Sequence, residues 1–341
     1  MKREEILRRL DFTVADSKKK RMIISTDLAN EADDHFAVLH HLLTPSEDVK
    51  GIIAAHWEWT ARIKEDKSIE KNVVSEVDLD FLAKIAGERG KTMEASYAIG
   101  EKLLKLSEID DVPLLKGAVY EISDINNLPE SPGADFIIQE ALKDDERPLY
   151  VSFLGSITDL AIAYLKEPKI ANRLTAIWIG GGSYPIGHCE YNLAQDRLAA
   201  NIIFESQISL WQVPADVYST VEVSQAELND HIRPLGELGS YLCDQMGELN
   251  HRASQYATIN QFPHGESWCL GDNPSVTVLL QGSGRRTWKE QEAVYVNKDY
   301  SYSPLKGKGN RMIRVYESVD AGLTLSDFYS KMKKCYKNKI K

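Results

Sequence analysis

The chain has 341 residues, 43% of them hydrophobic, with a formal charge of -10 and a pI near 5.4. This is long enough for one large α/β domain or two small ones around a substantial core. The acidic balance argues against nucleic-acid phosphates as a partner and fits a divalent cation or a neutral, sugar-like substrate.

In chain order, apolar runs rich in β-formers each lead into a helical period. A strand at Arg21–Thr26 precedes a helix from about Asp33 to Leu43. A second strand follows at Val49–His56. Helical stretches are expected over roughly Ile69–Glu88 and Met93–Leu106, then a short strand at Val112–Leu115. Helix Ala134–Leu142 feeds strand Leu149–Leu154, helix Ile157–Leu165 feeds strand Leu174–Ile179, and helix Leu198–Glu205 feeds strand Ile208–Val213. These runs do not alternate between apolar and polar, as expected of strands covered on both faces. Strand and helix in series predict an open, mostly parallel, Rossmann-like α/β sheet with helices on both faces. The last third reads differently: a mostly helical stretch from Gln225 to about Gln255, late strands at Ala293–Val296 and Met312–Tyr316, and a terminal helix at Leu323–Met332. The simplest organisation is a single domain over residues 1–341 with a helical addition at about 222–285.

No run approaches the ~20 apolar residues of a membrane helix, and the charged opening MKREEILRRL does not read as a secretory signal. The four cysteines form no CxxC pair, which predicts a reducing, cytoplasmic setting without membrane attachment.

In a parallel sheet, ligands bind beyond the carboxyl ends of the strands. The first strand ends in Ser25-Thr26-Asp27-Leu28-Ala29-Asn30-Glu31-Ala32-Asp33-Asp34. So many carboxylates in one loop suit a hard cation such as Ca²⁺. Asp33 and Asp34 equally suit the first turn of a helix, where acids complement the dipole.

This loop resembles the D-x-D-P-G-x-D-D signature of inosine–uridine-type nucleoside hydrolases. Asp27 stands at its second aspartate and Asp33 and Asp34 at its final pair. Ser25 replaces the first aspartate, Pro-Gly is absent, and the loop is two residues longer. Three further segments match in order. Tyr150–Pro168 is similar to the family's GPLTNLA segment, with Gly155, Thr158 and Leu160 retained. Ala176–Phe204 is similar to its GG…AEFN…DP-A-A segment, with Glu190, Asn192 and Asp196. Cys269–Leu280 is similar to its H-D-P segment, with Asp272 at the aspartate and Gly271 where histidine belongs.

The resemblance implies Ca²⁺-dependent hydrolysis of the N-glycosidic bond of a ribonucleoside or related pentosyl N-glycoside. Asp27 is implied as the base that activates water. Asp27, Asp34, Thr158 (through its carbonyl) and Asp272 are implied as metal ligands, and Asp33, Glu190, Asn192 and Asp272 as partners of the sugar hydroxyls. A general acid for the leaving base is missing at Gly271. His56, His188 and His264 are alternative acids, and Trp57, Trp59 and Trp268 are candidates for stacking on the base. Tyr184 or His188 would stand in for a missing asparagine near the sugar's 5′ side. Relatives of this kind are often dimers or tetramers. Two other functions stay open: a nucleoside- or sugar-binding protein with weak catalysis, and a hydrolase of another glycoside.

Overall fold

The structure, a computed structural model, describes residues 1–71, 76–254, 265–282, 285, 287–305 and 311–337. Its centre is an eight-stranded sheet. In chain order the strands are β1 (Lys20–Thr26), β2 (Glu47–Ala54), β3 (Leu114–Lys116), β4 (Leu149–Phe153), β5 (Leu174–Ile179), β6 (Ser209–Val213), β7 (Glu222–Ser224), β8 (Ser267–Cys269), β9 (Trp288–Glu292), β10 (Val294–Val296), β11 (Tyr302–Pro304) and β12 (Met312–Tyr316). The large sheet runs β3-β2-β1-β4-β5-β6-β12-β9, while β7–β8 and β10–β11 form separate pairs. Every pairing in the large sheet is parallel except the edge pair β12–β9. This is the mostly parallel α/β sheet expected from the uninterrupted apolar runs.

Successive residues of a strand face opposite sides, and the two sides hold two cores. Met22 and Ile24 of β1 enter one cluster and Ile23 the other; Ile177 and Ile179 of β5 enter the first, Ala176 and Trp178 the second. Helices Asp33–Leu42, Gly236–Ser254 and Ala321–Tyr336 cover the first side. Helices Pro132–Ala141, Thr158–Lys166 and Arg197–Glu205 cover the second. All ten residues of Asp33–Leu42 are buried. Its three histidines are satisfied by side chains of other elements: His35 Nε2 is 3.1 Å from Tyr241 OH, His40 Nε2 is 2.8 Å from Asp327 Oδ2, and His41 Nδ1 is 2.6 Å from Glu47 Oε2.

Two expectations shift. The helix expected over Ile69–Glu88 is confined, among the described residues, to Glu76–Ile85. Gly87 and Gly90 follow it, and Gly90 takes a left-handed φ of 75° that ends any helical run. The strand expected to reach His56 ends at Ala54, and Trp57 and Trp59 lie at the start of helix Glu58–Glu65. The fully buried Glu58 carboxylate anchors that start by accepting from Gly90 N, Thr92 Oγ1 and Arg89. Among the described residues no helix is long and apolar enough to cross a membrane.

Strand order reverses between β1 and β4, with chain connections leaving in opposite directions. Such a switch point opens a crevice at the carboxyl edge of the sheet. The ends are fixed by the backbone: Leu154 N donates to Ser25 O at 2.8 Å, and Ala55 N donates to Thr26 O at 2.8 Å. Asp27 therefore begins where β1 runs out, directly beside the end of β4.

Candidate active site

A cleft lies at this switch point, where ligands of open α/β sheets bind. The loop after β1 supplies Asp27, Asn30, Glu31, Asp33 and Asp34 to its lining. Leu154 comes from the end of β4 and Ile179 from the end of β5. Glu190, Tyr191 and Asn192 come from the next loop, Tyr218 precedes β7, and Gly271 and Asp272 follow β8. Of the residues expected from the sequence, the structure thus brings Asp27, Asp33, Asp34, Glu190, Asn192 and Asp272 onto one surface.

The acids are packed closely. Carboxylate oxygens of Asp33, Asp34 and Asp272 lie within 4.8 Å of one another. Burial is the main force on each, and it favours the neutral form. It pushes Asp27 up to about 8, with the charges of Asp33 and Glu190 adding to it. Glu31 is likewise pushed up to about 8 by burial and by Asp33 and Asp27. Asp34 and Asp272 are driven well above the carboxylate range by burial and by the neighbouring acids. Asp33 rises only to about 6, because backbone N–H groups, including those of Gly271 and Asp272, donate to its carboxylate. Thr26 Oγ1 donates to Asp34, Asn30 Nδ2 donates to Asp27 at 3.4 Å, and the Trp268 side chain donates to Glu31.

Among the described residues no Lys, Arg or His lines this cleft. A cluster of like charges without a basic partner is the arrangement a divalent cation relieves. The donors are all oxygen, as a hard cation requires, and 4.8 Å is about twice the ~2.4 Å of a Ca–O contact. The residues present therefore fit such an ion.

Glu190 caps the helix Tyr191–Gln195, accepting from Asn192 N and Leu193 N. It also accepts from Gly181 N at 2.6 Å and from Tyr218 OH at 2.8 Å. Four donors fill the roughly four acceptor positions of a carboxylate, so a ligand hydroxyl must displace one. Tyr218 OH is the only side-chain donor among the four. Asn192 uses its amide nitrogen to bridge the strand ends, donating to Leu154 O and Ile179 O at 2.9 Å each.

The remaining candidates lie elsewhere. Thr158 starts helix Thr158–Lys166, so its carbonyl points along the helix axis, away from the strand ends. Its hydroxyl donates to Asp196 Oδ2 at 2.9 Å. The residue of that segment in the cleft lining is Leu154, four residues earlier, directly after β4. His56 is fully buried behind the cleft, with Nε2 2.9 Å from Thr158 Oγ1. Burial depresses its pKa to about 3, so it is neutral. Trp57 is buried against Gly87, whose Cβ position is 2.7 Å from the indole, and is a plug of the core rather than a stacking wall. Trp268 is buried in β8 and reaches the cleft only through Glu31. His188 is exposed on the Gly180–Glu190 loop and outside the lining, where Nδ1 accepts from Ser183 N at 3.3 Å. Tyr184 packs on Tyr302 and donates to Gln212 Oε1 at 2.9 Å. His264 lies outside the described residues.

The sequence reading did not single out Tyr218 and Tyr191. Tyr191 OH donates to Asn30 Oδ1 at 2.7 Å and its ring meets Trp59 edge-on. Tyr218 occupies the ground in front of Gly271: a Cβ there would lie 2.9 Å from Tyr218 Cδ2 and 3.3 Å from Cys269 Sγ.

The model of the family described as inosine-uridine preferring nucleoside hydrolase matches residues 22–335. The chain belongs to this nucleoside hydrolase family. A pyrimidine-specific ribonucleoside hydrolase RihA of Salmonella arizonae is 24% identical over 210 residues, which cover 60% of this chain and 63% of the relative. The match thus spans less than two thirds of that curated relative's own length. A purine-preferring ribonucleoside hydrolase from Gardnerella vaginalis has the same fold at a TM-score of 0.70 and 18% identity, covering 94% of this chain and 100% of that one. The plant nucleoside hydrolase PpNRh1 superposes at a TM-score of 0.65 and 19% identity, covering 92% of this chain and 98% of that one.

One backbone contact in this nucleoside hydrolase-family cleft is unusually sensitive. A Cβ at Gly155 would sit 2.6 Å from Asp27 Oδ1 and 2.7 Å from Asp27 Cγ. Gly155→Ala is therefore expected to rotate Asp27 away without opening the core. Displacements of this size at a reacting group cost on the order of 10²-fold in rate. Turnover should fall by about that factor while the unfolding midpoint stays within a few degrees. An unchanged rate would place Asp27 outside the chemistry.

Proposed function

We propose that this protein hydrolyses the N-glycosidic bond of a ribonucleoside or a related pentosyl N-glycoside, with a divalent cation in the acidic cleft. Calcium is the ion the donor set fits best. The carrying observation is the convergence of Asp27, Asp33, Asp34 and Asp272 at the switch point of a nucleoside hydrolase-family sheet.

Asp27, Asp34 and Asp272 are assigned as carboxylate ligands, with the Leu154 carbonyl in the role first expected of Thr158. Asp33 is the better sugar ligand, because backbone N–H groups already fix its orientation. The bound ion would supply a Lewis acid that orients water and lowers its pKa. Asp27 takes the proton from the attacking water. Asp33 and Asp272 accept from the sugar hydroxyls. Asn192 adds Oδ1, since its amide nitrogen is already used by two carbonyls. Glu190 joins them only when Tyr218 OH gives way. Positive charge develops on the sugar as the bond breaks, and a ring of carboxylates around a partly desolvated ribosyl group stabilises it.

The test combines metal analysis with chemistry. Purified protein should contain about one calcium per chain, and ribose should be released from at least one member of a nucleoside panel. Bound calcium with no turnover on any member would favour the binding-protein reading, for which the missing imidazole at Gly271 speaks. Absence of calcium after dialysis against the free ion would sink the metal assignment.

A further inference from the structure

We propose that the substrate carries a leaving group already positively charged at the ring nitrogen bonded to the sugar, as in a pyridinium riboside or an N7-alkylated purine riboside. This rests on the N-glycoside hydrolase reading and specifies its substrate class. Three observations point the same way.

The first is that the described residues of the cleft include no cationic acid to protonate a leaving base; the proton that burial keeps on Glu31 lies in a carboxyl already bonded to the Trp268 side chain. A neutral base leaves as an anion unless it is protonated, and a positioned general acid is typically worth ~10²–10⁴-fold. Among the described residues no imidazole, ammonium or guanidinium lines the cleft. Position 271 has no room for such a group, since Tyr218 and Cys269 already crowd the place of its Cβ. His56 is turned inward onto Thr158.

The second is charge. Six carboxylates line the cleft: Asp27, Glu31, Asp33, Asp34, Glu190 and Asp272. Binding of a divalent ion takes the protons from Asp27, Asp34 and Asp272, and with Asp33 these four carboxylates exceed the charge of the ion. The remaining field attracts a cationic substrate and repels a 5′-phosphate. The third is the wall. Tyr218 spans from Gly271 to Glu190, where it donates to Oε1 at 2.8 Å. An aromatic ring there offers a cation–π surface, and Tyr191 also lines the cleft.

The chemistry then balances without an acid. The C1′–N bond breaks, and its electron pair neutralises the charged ring nitrogen. The water oxygen bonds to C1′, and its proton passes to the Asp27 carboxylate and on to solvent. The base departs neutral and needs no proton.

The experiment compares kcat/KM of the calcium-loaded protein for inosine, 7-methylinosine, N-ribosylpyridinium and inosine 5′-monophosphate. The cationic ribosides should exceed inosine by ~10²-fold or more, the scale of the absent acid, and the monophosphate should not be cleaved. Binding is read separately with an uncleavable C-riboside of N-methylpyridinium and its neutral pyridine counterpart. The cation should bind at least about 10-fold tighter in wild type and in Tyr218→Phe. In Tyr218→Leu that advantage should shrink by roughly 5- to 30-fold, the size of a cation–π contact. Inosine cleaved as fast as 7-methylinosine would overturn the proposal while leaving the hydrolase reading intact, as would equal binding of the two C-ribosides. No cleavage of any riboside would remove the hydrolase reading, and this proposal with it.

Discussion

Replacing Asp27 by asparagine is expected to lower turnover by ~10²–10⁴-fold and, in cation-free buffer at pH 8, to leave the fold at least as stable as wild type. The two halves of this result have one cause. Asp27 is 1% exposed, and it shares its surroundings with Asp33 and Glu190, so its charge is unfavourable there. Asparagine keeps the shape and the hydrogen bond to Asn30 but removes the charge. Repulsion within the cluster falls, and so does the pressure on Asp34, for which Asp27 is the largest neighbouring charge. The same exchange removes the acceptor for the proton of the attacking water and one ligand of the cation. Ribose release and a melting curve, measured on the same preparation, check both halves. A variant that is inactive but also clearly less stable without cation would show that Asp27 holds the loop together, and its loss of activity would then say nothing about chemistry.

Much of the fold was legible because strands covered on both faces announce themselves as apolar runs. Leu174–Ile179 and Met312–Tyr316 occupy the spans read for them. Strands that depend on a partner were not legible. β9, Trp288–Glu292, is polar at most positions and is a strand only because β12 pairs with it at the edge. β7 and β8 have three residues each, too few for any periodicity to register.

The site divides in the same way. The acidic loop and Asp272 could be read from residue type and order. Thr158 could not be placed, because the cleft is lined where β4 ends, and a helix that starts four residues on turns its own carbonyl away. His56 and Trp57 follow an apolar strand, and whether such residues face the ligand or the core depends on the chain's next turn. Here the buried Glu58 network sets that turn and carries both inward. The contact of Tyr218 with Gly271 has no local signal, since it joins segments brought together by the β7–β8 pair and the flanking Leu270 N to Val221 O bond.

The largest effect on stability is expected from pH and cation together. Carboxylates whose pKa is raised in the folded state bind more protons than in the unfolded chain, so stability falls as pH rises toward the folded value. Asp27 and Glu31 titrate in the fold near 8, and Asp34 and Asp272 are also well above their ordinary values. Buried His35, His40 and His56 act oppositely. Their folded values near 4, 4 and 3 mean that stability rises with pH until the unfolded imidazoles lose their protons near 6.5. Above that point the histidine contribution is constant and the acidic cluster stands alone. The cation-free protein should therefore lose stability steadily from pH 6.5 to 8.5.

Calcium reverses that loss, because it binds the deprotonated cluster and competes with protons for it. At a free concentration 100 times its dissociation constant it contributes about 2.7 kcal/mol, on the order of 4 °C in melting temperature for a chain of this length. The shift at a fixed calcium concentration should be largest at pH 8.5 and fade toward pH 5, where protons hold the carboxylates. It should be smaller in Asp27→Asn at every pH. Melting curves with and without calcium across this range decide the matter. A calcium shift that does not depend on pH would place the ion away from Asp27, Asp34 and Asp272. A cation-free protein equally stable at pH 6.5 and 8.5 would mean that the cluster is not strained by its own charge.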